Sequence, residues 1–255
     1  MVSYFDDNEL CVFSTSDWAT VIGQALVHYV AVGSLTQIMN QLQLFFLGPF
    51  TVVHNRTTVT DFESNKVRAL LVYLAVEQGE HTRTALAALL WPDYDERNAR
   101  TNLRQVLYQL RRVLGDEQAQ PPTLLISRHA ISFNPAADCF VDVTTLRALL
   151  AQVAAHDHPT LASCEPCLER LRQAVDLYRN DFLIGFALDD SAAFEEWRRI
   201  TQEQLHLQIL DALTQLGDAA EAAGEDAKEG VEAAAEKAKE GVNEAAEKVK
   251  EATDK

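Results

Sequence analysis

The chain has 255 residues, of which 47% are hydrophobic, and this is enough for one or two domains with a proper core. Its formal net charge of −16 argues against nucleic-acid binding over the whole surface, although a local basic patch is compatible with it. Four cysteines and an acidic N-terminus without a signal peptide lead us to expect free thiols and a cytoplasmic location. The sequence contains no apolar run long enough for a transmembrane helix.

Residues 1–42 are predicted to form a helical extension, because Trp18 to Leu42 spaces its apolar residues as a buried amphipathic helix does. From residue 43 the pattern changes to short strands. In chain order, the predicted elements are strand-forming residues 44–53 with a break at Gly48-Pro49, a turn at 54–57, a strand at 58–60, and a helix at 65–77 that Ser64 caps and Gly79 ends.

A helix-turn-helix is predicted next. Thr82 is expected to cap its first helix, which ends at Trp91-Pro92 because proline disfavours helix at the preceding residue. A short acidic turn leads into the second helix, Asp95 to Leu114, whose apolar residues recur at three- and four-residue steps. In a DNA-binding helix-turn-helix the second helix enters the major groove.

The opposite face of this second helix carries groups that contact phosphates and base edges. The residues expected to face the groove are Arg97, Asn98, Thr101, Arg104, Gln105 and Tyr108, with Arg100 and Arg111 on the flanks. The residues better placed for phosphates are Thr82, Arg83, Arg112, Arg128 and His129. The competing interpretation is an ordinary soluble helix with an Arg-rich solvated face.

The following elements favour DNA binding. Two predicted strands, residues 124–126 and 130–133, flank a turn that contains Arg128 and His129. In a winged helix-turn-helix such a hairpin is the wing, which lies on phosphates or in the minor groove beside the recognition helix. A hairpin with a basic tip directly after a helix-turn-helix indicates a winged-helix DNA-binding domain over residues 43–135.

Several stretches of the chain carry a resemblance to a known family. They are Leu44-Phe45-Phe46-Leu47-Gly48, Lys66 to Leu74, Leu89-Leu90-Trp91-Pro92, Ala99 to Arg104, Leu110 to Leu114, Val141 to Leu146, Ala174 to Phe186, and Glu196-Trp197-Arg198-Arg199. In order and spacing they resemble bacterial transcriptional activators of the antibiotic-regulatory-protein (SARP) type, including the helical bacterial transcriptional activator domain that follows the DNA-binding domain. The resemblance covers roughly residues 43–216.

The resemblance implies a mainly α fold with small β-sheets, in which an OmpR-like winged helix-turn-helix precedes a tetratricopeptide-like helical domain over residues 139–216. It also implies direct-repeat sites in double-stranded promoter DNA, bound by two protomers that contact RNA polymerase. Asn180 stands where the family has glycine, and because asparagine tolerates a left-handed backbone we expect the turn to be kept. The ATPase that often follows in the family is not expected, because no GxxxxGK[ST] P-loop occurs.

Cys164 and Cys167 form a Cys-x-x-Cys pair close to His156 and His158. These four residues would suit a zinc site, and a Cys-x-x-Cys pair at a helix start would also suit a redox thiol. A single half-motif without a thioredoxin-like context favours structural cysteines over both. We therefore predict no metal site and no cofactor.

Residues 217–255 consist almost only of Ala, Glu, Lys, Gly, Val and Asp, with a period of eleven residues that keeps Ala and Val on a slowly drifting stripe. The period resembles the repeats of late-embryogenesis-abundant proteins and synucleins, which form amphipathic helices on membranes or when dried. Because this stripe is only weakly apolar and acids outnumber lysines, we expect a solvated helical or disordered tail, native or fused, rather than one that associates with lipid.

The expected function is that of a sequence-specific DNA-binding transcriptional regulator, an activator. The alternative is a tetratricopeptide-like interaction adaptor whose winged helix binds protein and not DNA. We expect no enzyme, because the sequence contains neither a Gly-x-Ser-x-Gly nor a His-Glu-x-x-His motif.

Overall fold

The computed structural model describes residues 42–157, 160–223 and 236. Residues 1–41 of the predicted N-terminal extension, His158 and most of the eleven-residue repeats lie outside the described residues. Leu42, where the predicted helix ends, belongs to a strand instead, because it pairs with His54 and Cys139. The elements in chain order are β1 (Leu42–Phe45), β2 (Thr51–His54), β3 (Thr57–Thr58), α1 (Asn65–Val76), β4 (His81–Thr82), α2 (Arg83–Leu90), α3 (Glu96–Leu114), β5 (Leu124–Ile126), β6 (Ala130–Phe133), β7 (Cys139–Val141), α4 (Asp142–Ala155), a 3-10 turn (Leu161–Ser163), α5 (Glu165–Leu177) and α6 (Ala192–Ala223). None of the helices in these ranges has the length and apolar character needed to cross a bilayer.

The first sheet has four strands in the order β3-β2-β1-β7. The turn between β2 and β3 places Asn55 and Arg56 at φ values of 51° and 63°, the positive values that a tight hairpin with matching twist requires. β7 pairs parallel with β1, with Leu44 opposite Val141. The sequence pattern does not predict β7, because so short a strand is defined by a partner far away in the chain and not by its own periodicity.

Asp142, the residue after β7, fixes the junction between this sheet and α4. Its buried carboxylate accepts hydrogen bonds from the backbone N–H groups of Phe46 at 2.7 Å and Leu47 at 2.8 Å, where the chain leaves β1. Burial raises the pKa of Asp142 to about 7, and these backbone hydrogen bonds act in the opposite direction. Losing the carboxylate would leave buried N–H groups without an acceptor, at a cost of about 1–3 kcal/mol each.

The helices and the β5–β6 hairpin of the winged helix form close to the predicted ranges, whereas the strand predicted at 58–60 is replaced by β3 at Thr57–Thr58. Ser64 stands at the N-cap of α1, but its side chain makes no capping hydrogen bond, contrary to expectation. The Thr82 hydroxyl does cap α2, accepting a hydrogen bond from the Ala85 N–H at 3.1 Å. The hairpin of β5 and β6 also forms as predicted, and β4 joins it in a second sheet of order β4-β6-β5. This sheet attaches the hairpin to the start of α2.

The helices that follow share a continuous apolar core with the winged helix. The turn after α5 contacts the end of β1, because the Leu183 N–H donates to the Phe46 carbonyl at 2.9 Å. The turn is present as expected, but its left-handed residues are Leu183 (φ 55°) and Gly185 (φ 76°) and not Asn180. Asn180 instead accepts a hydrogen bond from the Asp181 N–H through its side-chain oxygen at 2.8 Å.

The start of α6 completes this contact. The Ser191 hydroxyl donates to the Leu89 carbonyl at 2.5 Å and accepts from the Phe194 N–H at 3.3 Å, so it caps α6 and also anchors this helix to α2. The Trp197 indole N–H donates to the Glu77 carboxylate at 2.9 Å. α6 continues to Ala223, beyond the point where the composition of the chain changes.

Candidate nucleic-acid interface

α3 is well delimited at both ends. The Asp95 carboxylate caps its N-terminus by accepting the Asn98 N–H at 3.0 Å, and Gly115 ends it in the left-handed conformation with φ 64°. Its buried residues are Ala99, Leu103, Val106, Leu107, Leu110 and Leu114. The opposite face exposes all the residues predicted to face a groove, namely Arg97, Asn98, Thr101, Arg104, Gln105 and Tyr108.

Four side chains on this face are uncommitted. Within the described ranges, the side chains of Arg97, Arg104, Gln105 and Tyr108 form no hydrogen bond or ion pair. Tyr108 is 62% exposed although it is a large aromatic residue. A ligand can therefore engage these two guanidinium groups, the amide and the phenol without breaking an intramolecular bond.

Three neighbouring side chains are engaged locally. The Asn98 amide donates to the Asp95 carboxylate, and the Thr101 hydroxyl donates to the Arg97 carbonyl at 2.9 Å. Arg100 lies 2.9 Å from the Glu96 carboxylate and donates to the Thr84 hydroxyl at 2.7 Å. These contacts hold the side chains in place on the surface, where they remain exposed.

The arginines at the C-terminal end of α3 are paired with acids. Arg111 contacts the Asp116 carboxylate at 3.3 Å and the Glu117 carboxylate at 3.7 Å. The Asp116 carboxylate is buried and also accepts the backbone N–H groups of Thr123 at 2.6 Å and Leu124 at 3.1 Å. Arg111 thus helps to hold the loop that leads into β5.

Arg112 and Gln109 both contact the Glu63 carboxylate, which lies in the loop before α1. Arg112 and Glu63 form an exposed ion pair, with 58% and 44% of their side-chain surfaces accessible. The charge of Arg112 is therefore compensated by Glu63, whereas the part of the chain that the structure describes offers no acidic partner to Arg97 or Arg104.

The wing is joined to α2 through Arg83. Its guanidinium donates to the Ser127 carbonyl from Nε at 3.2 Å and from Nη2 at 3.0 Å, and its backbone N–H donates to the His129 carbonyl at 3.0 Å. The next residue, Thr84, holds Arg100 of α3. A chain of direct contacts therefore connects the wing turn, the N-terminus of α2 and the exposed side of α3.

The tip of the wing carries Arg128 and His129, both exposed. Neither side chain forms an ion pair or hydrogen bond with another described residue. Thr82 is also exposed, but its hydroxyl oxygen already caps α2. Because that hydroxyl only accepts in the cap, its proton remains free to donate.

The sequence pattern does not identify the residues that pair with the arginines of α2 and α3. Glu63 is distant from α3 in the chain, and only the packing of its loop brings it to Arg112. Asp116 gives a local signal, because an acid directly after the helix-ending Gly115 lies within reach of Arg111. Thr84 and Ser127 act through a hydroxyl and a carbonyl, which charge counting does not register.

No family model and no curated protein matches the chain. Among solved structures, it is similar to EmbR of Mycobacterium tuberculosis, determined in complex with a low-affinity phosphopeptide, with a TM-score of 0.53 and 22% sequence identity over 69% of this chain. The match covers 45% of the EmbR chain, so this protein spans less than half of that one. The prediction of a mainly α fold with small sheets, a winged helix followed by a helical region, is confirmed.

Proposed function

We propose that the protein is a sequence-specific DNA-binding transcriptional regulator of the SARP type, with α3 as its recognition helix and the β5–β6 hairpin as its wing. The proposal rests on Arg97 and Arg104, which have no acidic partner among the described residues and lie on an exposed helix face of a chain with a net charge of −16. In an acidic protein, exposed arginines without acidic partners mark a surface that attracts an anionic ligand.

The exposed residues of α3 supply the chemistry of base recognition. An arginine donates two hydrogen bonds to the O6 and N7 atoms of guanine, and a glutamine pairs in the same way with adenine. Arg97, Arg104 and Gln105 provide these groups in the major groove, and Asn98, Thr101 and Tyr108 lie on the same exposed face. Since the helix is rigid and capped at both ends, its side chains meet the groove in a fixed register.

A second set of residues contacts phosphates. Arg128 and His129 reach the backbone from the wing, and Thr82 donates its hydroxyl from the start of α2. Four further arginines contribute less to DNA binding, because each would have to break an intramolecular contact to bind DNA fully. They are Arg83, Arg100, Arg111 and Arg112. Arg83 is foremost a positioning residue, which holds the wing beside α2.

The proposal extends to the cellular role. Two protomers bind direct repeats in promoter DNA in the bacterial cytoplasm and contact RNA polymerase, so that transcription is activated. Residues 43–135 form the DNA-binding domain and residues 139–216 the helical activator domain. The support is the resemblance of both parts to the SARP family, including Val141 to Leu146 and Glu196-Trp197-Arg198-Arg199.

A second candidate function is that of an interaction adaptor that does not bind DNA. The observation that favours it is the presence of exposed apolar side chains on α6, where Ile200 is 44% and Leu207 is 58% exposed. These two residues are seven apart and so share one side of the helix. Such a surface suits a protein partner better than DNA.

Selection of bound sequences from a random pool of double-stranded DNA tests the proposal. We expect enrichment of a short motif, repeated in the same orientation, and an affinity that falls steeply as salt rises. A pool that stays random after repeated rounds, together with binding that is insensitive to salt, would favour the adaptor.

A further inference from the structure

A second cluster of reactive side chains lies apart from α3, where α4 ends and α5 begins. His156 is the C-cap residue of α4, Cys164 is the N-cap residue of α5, and Cys167 follows within the first turn. The Nδ1 atom of His156 lies 3.1 Å from the Cys167 sulfur and 3.4 Å from the Cys164 sulfur. These three ligand atoms all lie within 4.8 Å of one another.

We propose that His156 Nδ1 and the thiolates of Cys164 and Cys167 bind one zinc ion. Zinc–sulfur distances of about 2.3 Å and zinc–nitrogen distances of about 2.0 Å in a tetrahedral site place neighbouring ligand atoms roughly 3.5–3.8 Å apart. The nitrogen–sulfur distances in the structure lie within a few tenths of an ångström of that range. Two thiolates and an imidazole form a donor set typical of zinc.

The backbone holds the three ligands in this arrangement. The N–H groups of Cys167 and Leu168 donate to the Cys164 carbonyl at 3.0 and 3.1 Å, which fixes the two sulfurs on the first turn of α5. The His156 N–H donates to the Val153 carbonyl at 3.2 Å and so fixes the end of α4. These hydrogen bonds hold the backbone that carries the ligands, and binding of the ion releases the thiol protons.

The ion would lie at the edge of a small apolar core that is distinct from the main one. This core contains Val153, Cys164, Cys167, Leu168, Leu171, Ala212, Leu216 and Ala219. Both cysteines are buried in it, whereas His156 is exposed. Three protein ligands with a water as the fourth is an established zinc arrangement.

A zinc ion bound here would cross-link two helix ends. It closes the loop that runs from His156 to Cys167 and joins the end of α4 to the start of α5. Because the unfolded chain has no preformed site, the binding energy of the ion stabilises the folded helical region. The proposal assigns a metal where the sequence pattern alone favoured structural cysteines.

The geometry favours zinc over a redox disulfide. A disulfide would join the two sulfurs and leave the imidazole with no part in the site, whereas His156 Nδ1 approaches both sulfurs. Among the described residues, neither Cys164 nor Cys167 forms a disulfide.

Titration of the reduced, chelator-treated full chain with cobalt(II) under anaerobic conditions tests the proposal. We expect saturation at one equivalent, with a thiolate-to-metal charge-transfer band and the visible bands of a tetrahedral site, and displacement by one equivalent of zinc. Absence of these bands overturns the proposal. So does a purified chain that carries a Cys164–Cys167 disulfide and binds no metal after reduction.

Variants assign the ligands. Cys164→Ser, Cys167→Ser and His156→Ala should each weaken zinc binding by at least roughly tenfold, the loss that even outer-shell partners produce. Cys139→Ser is the matched control, because Cys139 lies in β7 outside the cluster. Zinc should raise the Tm of the wild type and of Cys139→Ser but not that of His156→Ala. His156 is exposed, so its variant should fold, and unchanged zinc binding in it would contradict the proposal. The readout does not involve DNA and stands independently of the proposed function.

Discussion

The two ends of α3 carry the same residue type in opposite situations. Arg97 and Arg104, in the first half, have no partner among the described residues, whereas Arg111 and Arg112, in the last turn, are paired with Asp116, Glu117 and Glu63. The helix is amphipathic along its whole length, so periodicity alone does not separate the two ends. Charge compensation separates these two pairs of arginines, although Arg100, between Arg97 and Arg104, is itself paired with Glu96.

The difference shows where a charge is structural and where it is available to a ligand. Arg111 helps to satisfy a buried carboxylate that also holds the start of β5, so its removal would disturb the fold. Arg97 and Arg104 hold nothing in place among the described residues, and an exposed arginine of this kind contributes little to stability. We therefore expect removal of Arg97 or Arg104 to change the affinity for DNA, and removal of Arg111 to change the free energy of unfolding.

The largest effect is expected when both free arginines are removed. Arg97→Ala with Arg104→Ala should weaken binding to a selected DNA site by about 2–6 kcal/mol, because each arginine that contacts DNA contributes about 1–3 kcal/mol. The Tm should stay close to that of the wild type. Gel-shift titrations at fixed salt measure the affinity, and an undiminished affinity would remove α3 from the interface.

Loss of Arg111 should act mainly on stability. Arg111→Ala leaves the buried Asp116 without its cationic partner, and we expect the free energy of unfolding to fall by about 1–2 kcal/mol. The backbone N–H groups of Thr123 and Leu124 still satisfy the carboxylate, which limits the loss. Urea denaturation provides the measurement. Wild-type stability together with a greatly reduced DNA affinity in Arg111→Ala would contradict the structural role of Arg111 and would indicate that it binds DNA.

The wing should contribute equally to the affinity for all DNA sequences, because it contacts phosphates. Arg128→Ala should weaken specific and non-specific binding by a similar factor, at a cost of about 1 kcal/mol, and should reduce the salt slope by about one. A loss confined to the selected sequence would indicate that the wing reads bases.

The smallest effect, and the only gain, is expected from Glu63→Gln. This change releases Arg112 from its ion pair, so a further guanidinium becomes available to DNA. We expect affinity to rise by less than about 1 kcal/mol, since exposed ion pairs are weak, with a slightly steeper salt dependence. Combination with Arg112→Ala should abolish the gain. A gain that persists in the double variant would show that Glu63 acts by general repulsion of DNA.

Much of the fold follows from local pattern. The bounds of α3, the cap at Thr82 and the β5–β6 hairpin all depend on residues close in the chain, and each forms as expected. Elements that depend on distant partners were not predicted. β7 exists because β1 pairs with it, and Asp142 acquires its role only when Phe46 and Leu47 are brought to it.

The same distinction between local and distant contacts applies to the candidate site. Periodicity predicts which residues of α3 are exposed, because exposure follows from the helix itself. It does not predict that Glu63 pairs with Arg112, or that Arg83 holds the wing, since both contacts cross between elements. The sequence names His156, Cys164 and Cys167 as possible zinc ligands, but it does not predict their proximity, which the junction of α4 and α5 provides.

The most direct test compares Arg104→Ala with Arg112→Ala on the same selected DNA at the same salt concentration. Both variants remove one guanidinium from the same helix, one of them free and the other already paired with Glu63. We expect Arg104→Ala to lose roughly 5- to 150-fold in affinity, the equivalent of about 1–3 kcal/mol, and Arg112→Ala to lose markedly less. Equal losses, or a larger loss for Arg112→Ala, would contradict the account.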